Sequence, residues 1–264
     1  MTTEQRLPLS VCVVAGNEAH RIRRTLESVA AWAGEIIVAV DDGVTDGTPD
    51  IARACGARVV TGPWKDHATH RNLASAHTTQ SWLLALDADE VVSPGLRDEL
   101  VQTIAAAQAD PNAACAAYSM PRCAFYCGRW IRHGDWYPDR VVRLWQRERG
   151  HWEGITHEKL IVQGRIGRLY CDLLHYTAET INHQVAKTVE KADHFVQQCK
   201  EDGRTVSFSD LTFRPVWRFW RAYLFRLGFL DGWQGLTIAW LTAFYTFLRY
   251  VRVRETEMQK DPPR

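Results

Sequence analysis

Within the first ninety residues, short apolar runs and amphipathic stretches alternate, and this alternation limits the fold more than any other feature of the chain. Leu9 to Ala15 (LSVCVVA) is a β-branched apolar run, the pattern of a strand buried on both faces. From Glu18 to Trp32, Ile22, Leu26, Val29 and Ala30 recur at three- and four-residue steps, which predicts a helix. Glu35 to Val40 reads as a second strand, Thr48 to Cys55 as a short helix and Arg58 to Thr61 as a third strand. His67 to His77 is again helical, and Trp82 to Leu86 is a fourth strand. The pattern predicts an α/β domain, an open and mainly parallel sheet with helices on both faces. Ligands of such sheets bind beyond the carboxyl ends of the strands. Two acidic clusters, at Asp41 and at Asp87, fall at such ends.

Further along, residues 116–176 have strand-and-loop character, with strands expected at Ser119 to Ala124 and Val141 to Trp145. From Ile181 the chain reads as helical: one helix over Asn182 to Lys200, then two between Pro215 and Arg254 with a turn near Leu227 to Gly235. The expected division is a catalytic domain over residues 1–180 and a helical region over 181–264. Lysine and arginine total 32 against 31 acidic residues, so no basic excess points to nucleic acid. The seven cysteines are scattered, and Cys123 and Cys127 have no second pair or histidine pair to complete a zinc site. Reduced thiols are expected. The opening MTTEQRLPLS lacks the basic-then-apolar layout of a signal peptide, which reads as a cytoplasmic chain.

Asp87-Ala88-Asp89 directly follows the strand WLLAL. Two carboxylates spaced i, i+2 at a strand end can reach one hard divalent cation, magnesium or manganese, and leave positions open for phosphate oxygens. In glycosyl transfer such a cation neutralises a departing nucleoside diphosphate. In isolation the same motif is more often a solvated turn. At the end of the second strand, Asp41 can accept a hydrogen bond from a uracil imide or a ribose hydroxyl, beside Asp42, while Thr45 or Asp46 reads as the cap of the next helix. Asn17-Glu18, after the first strand, lies where a base or ribose would sit and equally suits a helix cap. Arg71, early in the third helix, is either a phosphate or carboxylate partner or a surface arginine.

Taken together, LSVCVVAGNEAHRIRRTLESV, EIIVAVDDGVTDGTPDIA, RNLA and WLLALDADE resemble the family 2 glycosyltransferases of GT-A fold in order and spacing. The resemblance implies a nucleotide-diphospho-sugar donor, a divalent metal, and inversion at the anomeric carbon. On that resemblance Asp41 is the base- or ribose-contacting acid, Asp87 and Asp89 the ribose and metal carboxylates, and Arg71 the link between the acidic turn and the donor phosphates. The segments DWYPD from Asp135, RLW from Arg143, GITHE from Gly154 and His175-Tyr176 are similar to the bacterial lipopolysaccharide core β-glucosyltransferases, as is GFLDGWQGL from Gly228. Two departures are Asp41-Asp42-Gly43 where that subgroup reads Asp-Ser-Gly, and His70 where it has Gln or Lys. UDP-glucose is the donor this implies, and a lipid-linked, heptose-containing core saccharide the acceptor.

Inverting transfer requires a base that takes the acceptor proton. Glu158, Asp135 and Asp139 are the candidates, and His157 is a candidate third metal ligand or phosphate contact. Each also has a structural reading, as a turn cap, a core imidazole or a solvated carboxylate. Eight of the eleven tryptophans lie from Trp130 onward, where they suit a core, a sugar-stacking surface or a membrane interface. In the C-terminal helices, the uncharged run from Gly232 to Leu248 is shorter than the roughly 20 residues of a spanning helix. A hairpin packed on the catalytic domain and an interfacial hairpin on the inner face of the cytoplasmic membrane are both compatible; the flanking arginines favour the second. A nicotinamide or flavin enzyme would need G-x-G-x-x-G after the first strand, which is missing. The alternatives are a polyprenyl-phosphate glycosyltransferase, which would lack the tryptophan-rich middle and Thr-His-Glu, and an inactive fold serving as a binding or scaffold protein.

Overall fold

The computed structural model describes residues 6–154, 158–178, 181–203 and 206–260, so His157 lies outside the described residues. The chain divides into two compact units, Met1–Arg122 with Asp139–His175, and Cys123–Pro138 with Tyr176–Arg264.

The first unit opens with the expected alternation. It runs β1 (Leu7–Ala15), α1 (Ile22–Ala30), β2 (Ala33–Asp41), α2 (Thr48–Ala54), β3 (Arg58–Gly62), α3 (His67–Ala76) and β4 (Trp82–Asp87). Next come β5 (Glu90–Val92) and α4 (Pro94–Ala109), neither of which the sequence reading assigned. The chain continues through β6 (Ala117–Tyr126), β7 (Arg129–Ile131), β8 (Asp139–Gln146), β9 (Gly150–Glu153), β10 (Lys159–Val162), β11 (Ile166–Arg168) and β12 (Leu173–Ala178). The main sheet has the order β3-β2-β1-β4-β8-β6-β12-β5, and β9 and β10 form a separate antiparallel pair. β1 lies parallel to β2 and β4, and β2 parallel to β3. From β8 on, antiparallel pairing dominates: β8 is antiparallel to both β4 and β6, and β12 to β5. The sheet is therefore mixed, with its parallel half built by the first four predicted strands.

Alternation within those strands explains the two covered faces. Leu9, Val11 and Val13 of β1, with Val38 and Val40 of β2, pack against Ile22, Leu26 and Val29 of α1 and Leu96, Leu100 and Ile104 of α4. On the opposite face Cys12, Ile37 and Ala39 meet Ala68 and Ala74 of α3, together with Trp145 and Trp152. One polar tie crosses the rim. Buried Ser10 donates to Glu35, which also accepts the Thr79 and Gln80 backbone N–H groups and so fastens the turn before β4 to β1 and β2.

In the second unit, the end of β6 and β7 form a hairpin, with Ala124 opposite Ile131 and Tyr126 opposite Arg129. Cys127 and Gly128 both have positive φ, 45° and 83°, as a two-residue hairpin turn matching strand twist requires. The helices are α5 (Ile181–Glu201), α6 (Phe208–Trp220) and α7 (Gly232–Lys260). α6 starts before Pro215, where the sequence suggested a start: Ser207 and Asp210 form a reciprocal capping box, and Pro215 lies inside the helix. A π-helical turn, Arg221–Phe225, and a short 3-10 turn, Gly228–Asp231, join α6 to α7. Gly235 is required there, since a Cβ would stand 1.9 Å from the Gly228 carbonyl oxygen. Asp231, buried in this turn, accepts the Arg132 and His133 backbone N–H groups at 3.0 and 2.8 Å. None of the seven cysteines is in a disulfide. Among the described residues, no helix is long and apolar enough to cross a membrane.

Candidate active site

At the carboxyl ends of β1, β2 and β4, the first unit has a cleft of about 560 Å³. Glu18 from the loop after β1, Asp41 from the end of β2, and Asp87 and Asp89 from the end of β4 line it, as the sequence pattern predicts. Trp64, His67, Arg122 and His175 also line it; of these the sequence singles out only His175, as part of the subgroup resemblance and without a role.

The loops on the β1–β2 side are tied together by short polar side chains. Asn17 Oδ1 accepts the Thr45 N–H at 3.1 Å. Asp46 accepts the Ala19 N–H at 2.9 Å and both Thr48 groups, and the Thr48 hydroxyl in turn accepts the Glu18 N–H at 2.8 Å. Asn17 and Asp46 thus hold two loops in register. Glu18 keeps its carboxylate at the cleft wall, paired with Arg21. Asp41 accepts the Trp64 backbone N–H at 3.0 Å, while Asp42 is exposed and does not line the cleft. The Trp64 indole leans over the buried His70 ring, centroids 4.6 Å apart. The departure noted at position 70 therefore supports an aromatic wall.

On the β4 side, the carboxylates divide into two groups. Asp87 accepts from Arg71 Nη2 through Oδ1 at 2.5 Å and from Arg143 Nη2 through Oδ2 at 2.6 Å. Glu90, fully buried, accepts from Arg143 at 2.9 Å and Arg122 at 3.2 Å, and its other oxygen takes the Asp87 N–H at 2.9 Å. Arg122 also donates to Asp139 at 2.6 Å. The Arg71 guanidinium lies 4.6 Å from the centre of the Trp152 ring, the cation over the aromatic face. Burial opposes ionisation of Asp87, but Arg143, Arg71 and Arg122 overcome it and hold the carboxyl far below the usual range.

Asp89 faces the cleft. Its Oδ1 is 3.4 Å from His175 Nε2 and its Oδ2 is 3.6 Å from Arg21 Nη1. β12 supplies His175 by pairing with β5, where His175 stands opposite Glu90. One carboxylate and one imidazole converging on a polar cleft fit a divalent cation that takes its remaining ligands from a substrate's phosphates and water. They do not make an all-protein site: among the described residues no group of three His, Cys, Asp or Glu is arranged to hold a metal. Asp87, expected as a second ligand, has both oxygens on arginines instead.

The three candidate bases are in different surroundings. Glu158 lies 3.7 Å from Arg71 Nη2, beyond hydrogen-bond range, with its side chain a quarter exposed. Asp139 is paired with Arg122. Asp135 belongs to the second unit, where Arg218, Arg221 and Arg226 surround it at 2.9, 3.0 and 3.5 Å and its side chain is only 3% exposed. Asp135 is thus ion-paired from three sides, whereas Glu158 and Asp139 each face one arginine.

Residues 10–162 match the profile described as Glycosyl transferase family 2. An uncharacterized glycosyltransferase of Rickettsia bellii is 28% identical over 96% of this chain and 88% of its own. A lipopolysaccharide core biosynthesis glycosyltransferase of Rhizobium meliloti, LpsC, is 27% identical over 93% of this chain and 94% of its own. Among solved structures, S. aureus TarS 1–349 aligns over 97% of this chain and 93% of that chain, at 14% identity and a TM-score of 0.47.

Proposed function

The chain belongs to glycosyl transferase family 2, and we propose that it moves a sugar, with inversion, from a nucleotide-diphospho-sugar to a lipid-linked saccharide of the bacterial cell envelope. Similarity to the lipopolysaccharide core enzyme of Rhizobium meliloti supports a core saccharide as acceptor, and UDP-glucose is the donor of first choice. A cytoplasmic chain working at the inner face of the membrane suits both substrates. The observation that carries the reading is the Asp89–His175 pair, which opens on the same cleft as Glu18, Asp41 and Trp64.

In this reading Asp41 accepts a hydrogen bond from the base or ribose, beside the Trp64 ring, and the Asn17–Thr45 and Asp46–Thr48 ties keep that wall rigid. Arg71 and Arg143 fix Asp87 so that the turn carrying Asp89 has one geometry. Asp89 and His175 would hold a manganese or magnesium ion, which when bound neutralises charge on the departing diphosphate. Glu158, 3.7 Å from Arg71 Nη2 and so outside hydrogen-bond range, takes the proton of the attacking acceptor hydroxyl. Displacement from the side opposite the diphosphate then inverts the anomeric carbon.

The test is release of nucleoside diphosphate from a panel of nucleotide sugars with an envelope saccharide extract, with manganese and then with EDTA. Release from one donor, lost with EDTA and in Asp89→Ala, is expected. Should no nucleotide sugar bind by calorimetry with metal present, the transferase reading fails and a scaffold role takes its place.

A further inference from the structure

Between residues 208 and 254 the chain carries seven arginines and only two acidic residues, Asp210 and Asp231, both of them buried. The same stretch presents aromatic rings to solvent at helical spacing. Phe213, Trp217 and Trp220 follow one another at four- and three-residue steps, and Trp233, Trp240 and Phe247 at sevens. Each of these six is at least 44% exposed, far more apolar surface than a water-facing helix pair ordinarily shows. An apolar groove of about 630 Å³, floored by Pro215, Phe219 and Phe244, runs between α6 and α7. Arg214, Arg218 and Arg221 each stand one residue beyond a ring of the α6 stripe, about 100° round the helix, so cations flank the aromatics. Arg218, Arg221 and Arg226 share one carboxylate, Asp135, which leaves their positive charge in excess.

We infer that the α6–α7 face docks flat on an anionic phospholipid bilayer, with the rings at the boundary of headgroup and acyl chain and the arginines on lipid phosphates. Charge complementarity selects this occupant. A second copy of the chain meeting the same face about a two-fold axis would set the arginines against themselves. Since no helix among the described residues can span the bilayer, the attachment is interfacial. The inference gives the proposed membrane location a physical basis and is independent of the transfer chemistry.

The full chain is to be centrifuged with vesicles of phosphatidylcholine, alone or with about 30 mol% phosphatidylglycerol, without donor or metal. Binding at least about tenfold tighter to the anionic vesicles, and weakened by added salt, is expected. A double substitution, Phe213→Ser with Trp217→Ser, should lower that binding about tenfold or more while circular dichroism and the melting midpoint stay unchanged. Absence of binding, or equal and salt-independent binding to both vesicles, overturns the inference. So does a wild-type dimer in sedimentation that the same double substitution dissociates, since the face would then be a self-interface. A chain that binds vesicles but binds no nucleotide sugar with metal present leaves this inference standing and refutes only the transferase reading.

Discussion

Asp87 is held between two arginines from different elements: Arg71 of α3 meets Oδ1 at 2.5 Å, and Arg143 of β8 meets Oδ2 at 2.6 Å. The turn after β4 is thereby fixed to the helix on one side and to the antiparallel half of the sheet on the other. Arg143 also reaches Glu90, so one guanidinium serves two carboxylates.

Replacing Arg143 with alanine leaves the buried Glu90 with one guanidinium, Arg122, and strips Oδ2 of Asp87 of its arginine. Breaking a buried pair from one side costs about 3–5 kcal/mol. Urea unfolding of Arg143→Ala should show a loss of that order, and Arg143→Lys should recover only part of it, since an ammonium cannot span both acids as a planar fork does. A loss below about 1 kcal/mol, the worth of an exposed pair, would contradict the buried network.

If His175 is a cation ligand, its removal should weaken the metal before it touches the nucleotide. Loss of an outer-shell partner already costs roughly 10- to 100-fold in metal affinity, so His175→Ala should raise the manganese needed for half-maximal activity at least about tenfold. Calorimetry of manganese with nucleoside diphosphate present gives a second reading. An unchanged metal requirement would remove His175 from the ligand set.

Glu158→Gln keeps the shape of the side chain and removes its basicity. As general base, Glu158 predicts a fall in kcat of about 10²- to 10⁴-fold with donor affinity preserved. Asp139→Asn, at a carboxylate already paired with Arg122, should lower kcat much less. The reverse ranking would move the base to Asp139.

Glu35 predicts an acid limb in the stability curve. Partial burial raises its pKa, but hydrogen bonds from Ser10, Thr79 and Gln80 outweigh this and hold the native carboxyl below its usual value. The unfolded side chain titrates near about 4.3, so the stabilisation is complete above that pH and decays as pH falls from there through the native pKa. Glu35→Gln should remove this part of the decline, at a cost near pH 7 of roughly 1 kcal/mol for a group partly open to water. Urea midpoints between pH 7 and pH 3 that run parallel for the two proteins would show that Glu35 is not responsible.

The parallel half of the sheet and the acidic strand ends were legible because each depends on local pattern. β1, β2 and β4 are buried on both faces and read as continuous apolar runs, and Asp41 and Asp87 end two of them. β8 was legible as a strand, but its insertion between β4 and β6 is a long-range pairing with no signature in either segment. His175 and Arg143 reach the site only through such pairings. Trp64 follows β3 in a loop without periodicity, and its role depends on Asp41 and His70. Asp135 reads as a candidate base or a turn cap, and its ion pairs are not legible because its arginines follow more than eighty residues later. The start of α4 does have a local signal, Ser93-Pro94, with Ser93 as cap and proline at the first position.

The arginine network also sets an electrical condition on whatever enters the cleft. Arg71, Arg122 and Arg143 meet Asp87, Glu90 and Asp139 by hydrogen bonds, and Glu158 lies 3.7 Å from Arg71, so four carboxylates face three guanidiniums. It therefore holds no positive charge in excess with which to balance a pyrophosphate. On the proposed chemistry, the charge of a donor's diphosphate is therefore left to a cation, which Asp89 and His175 would hold.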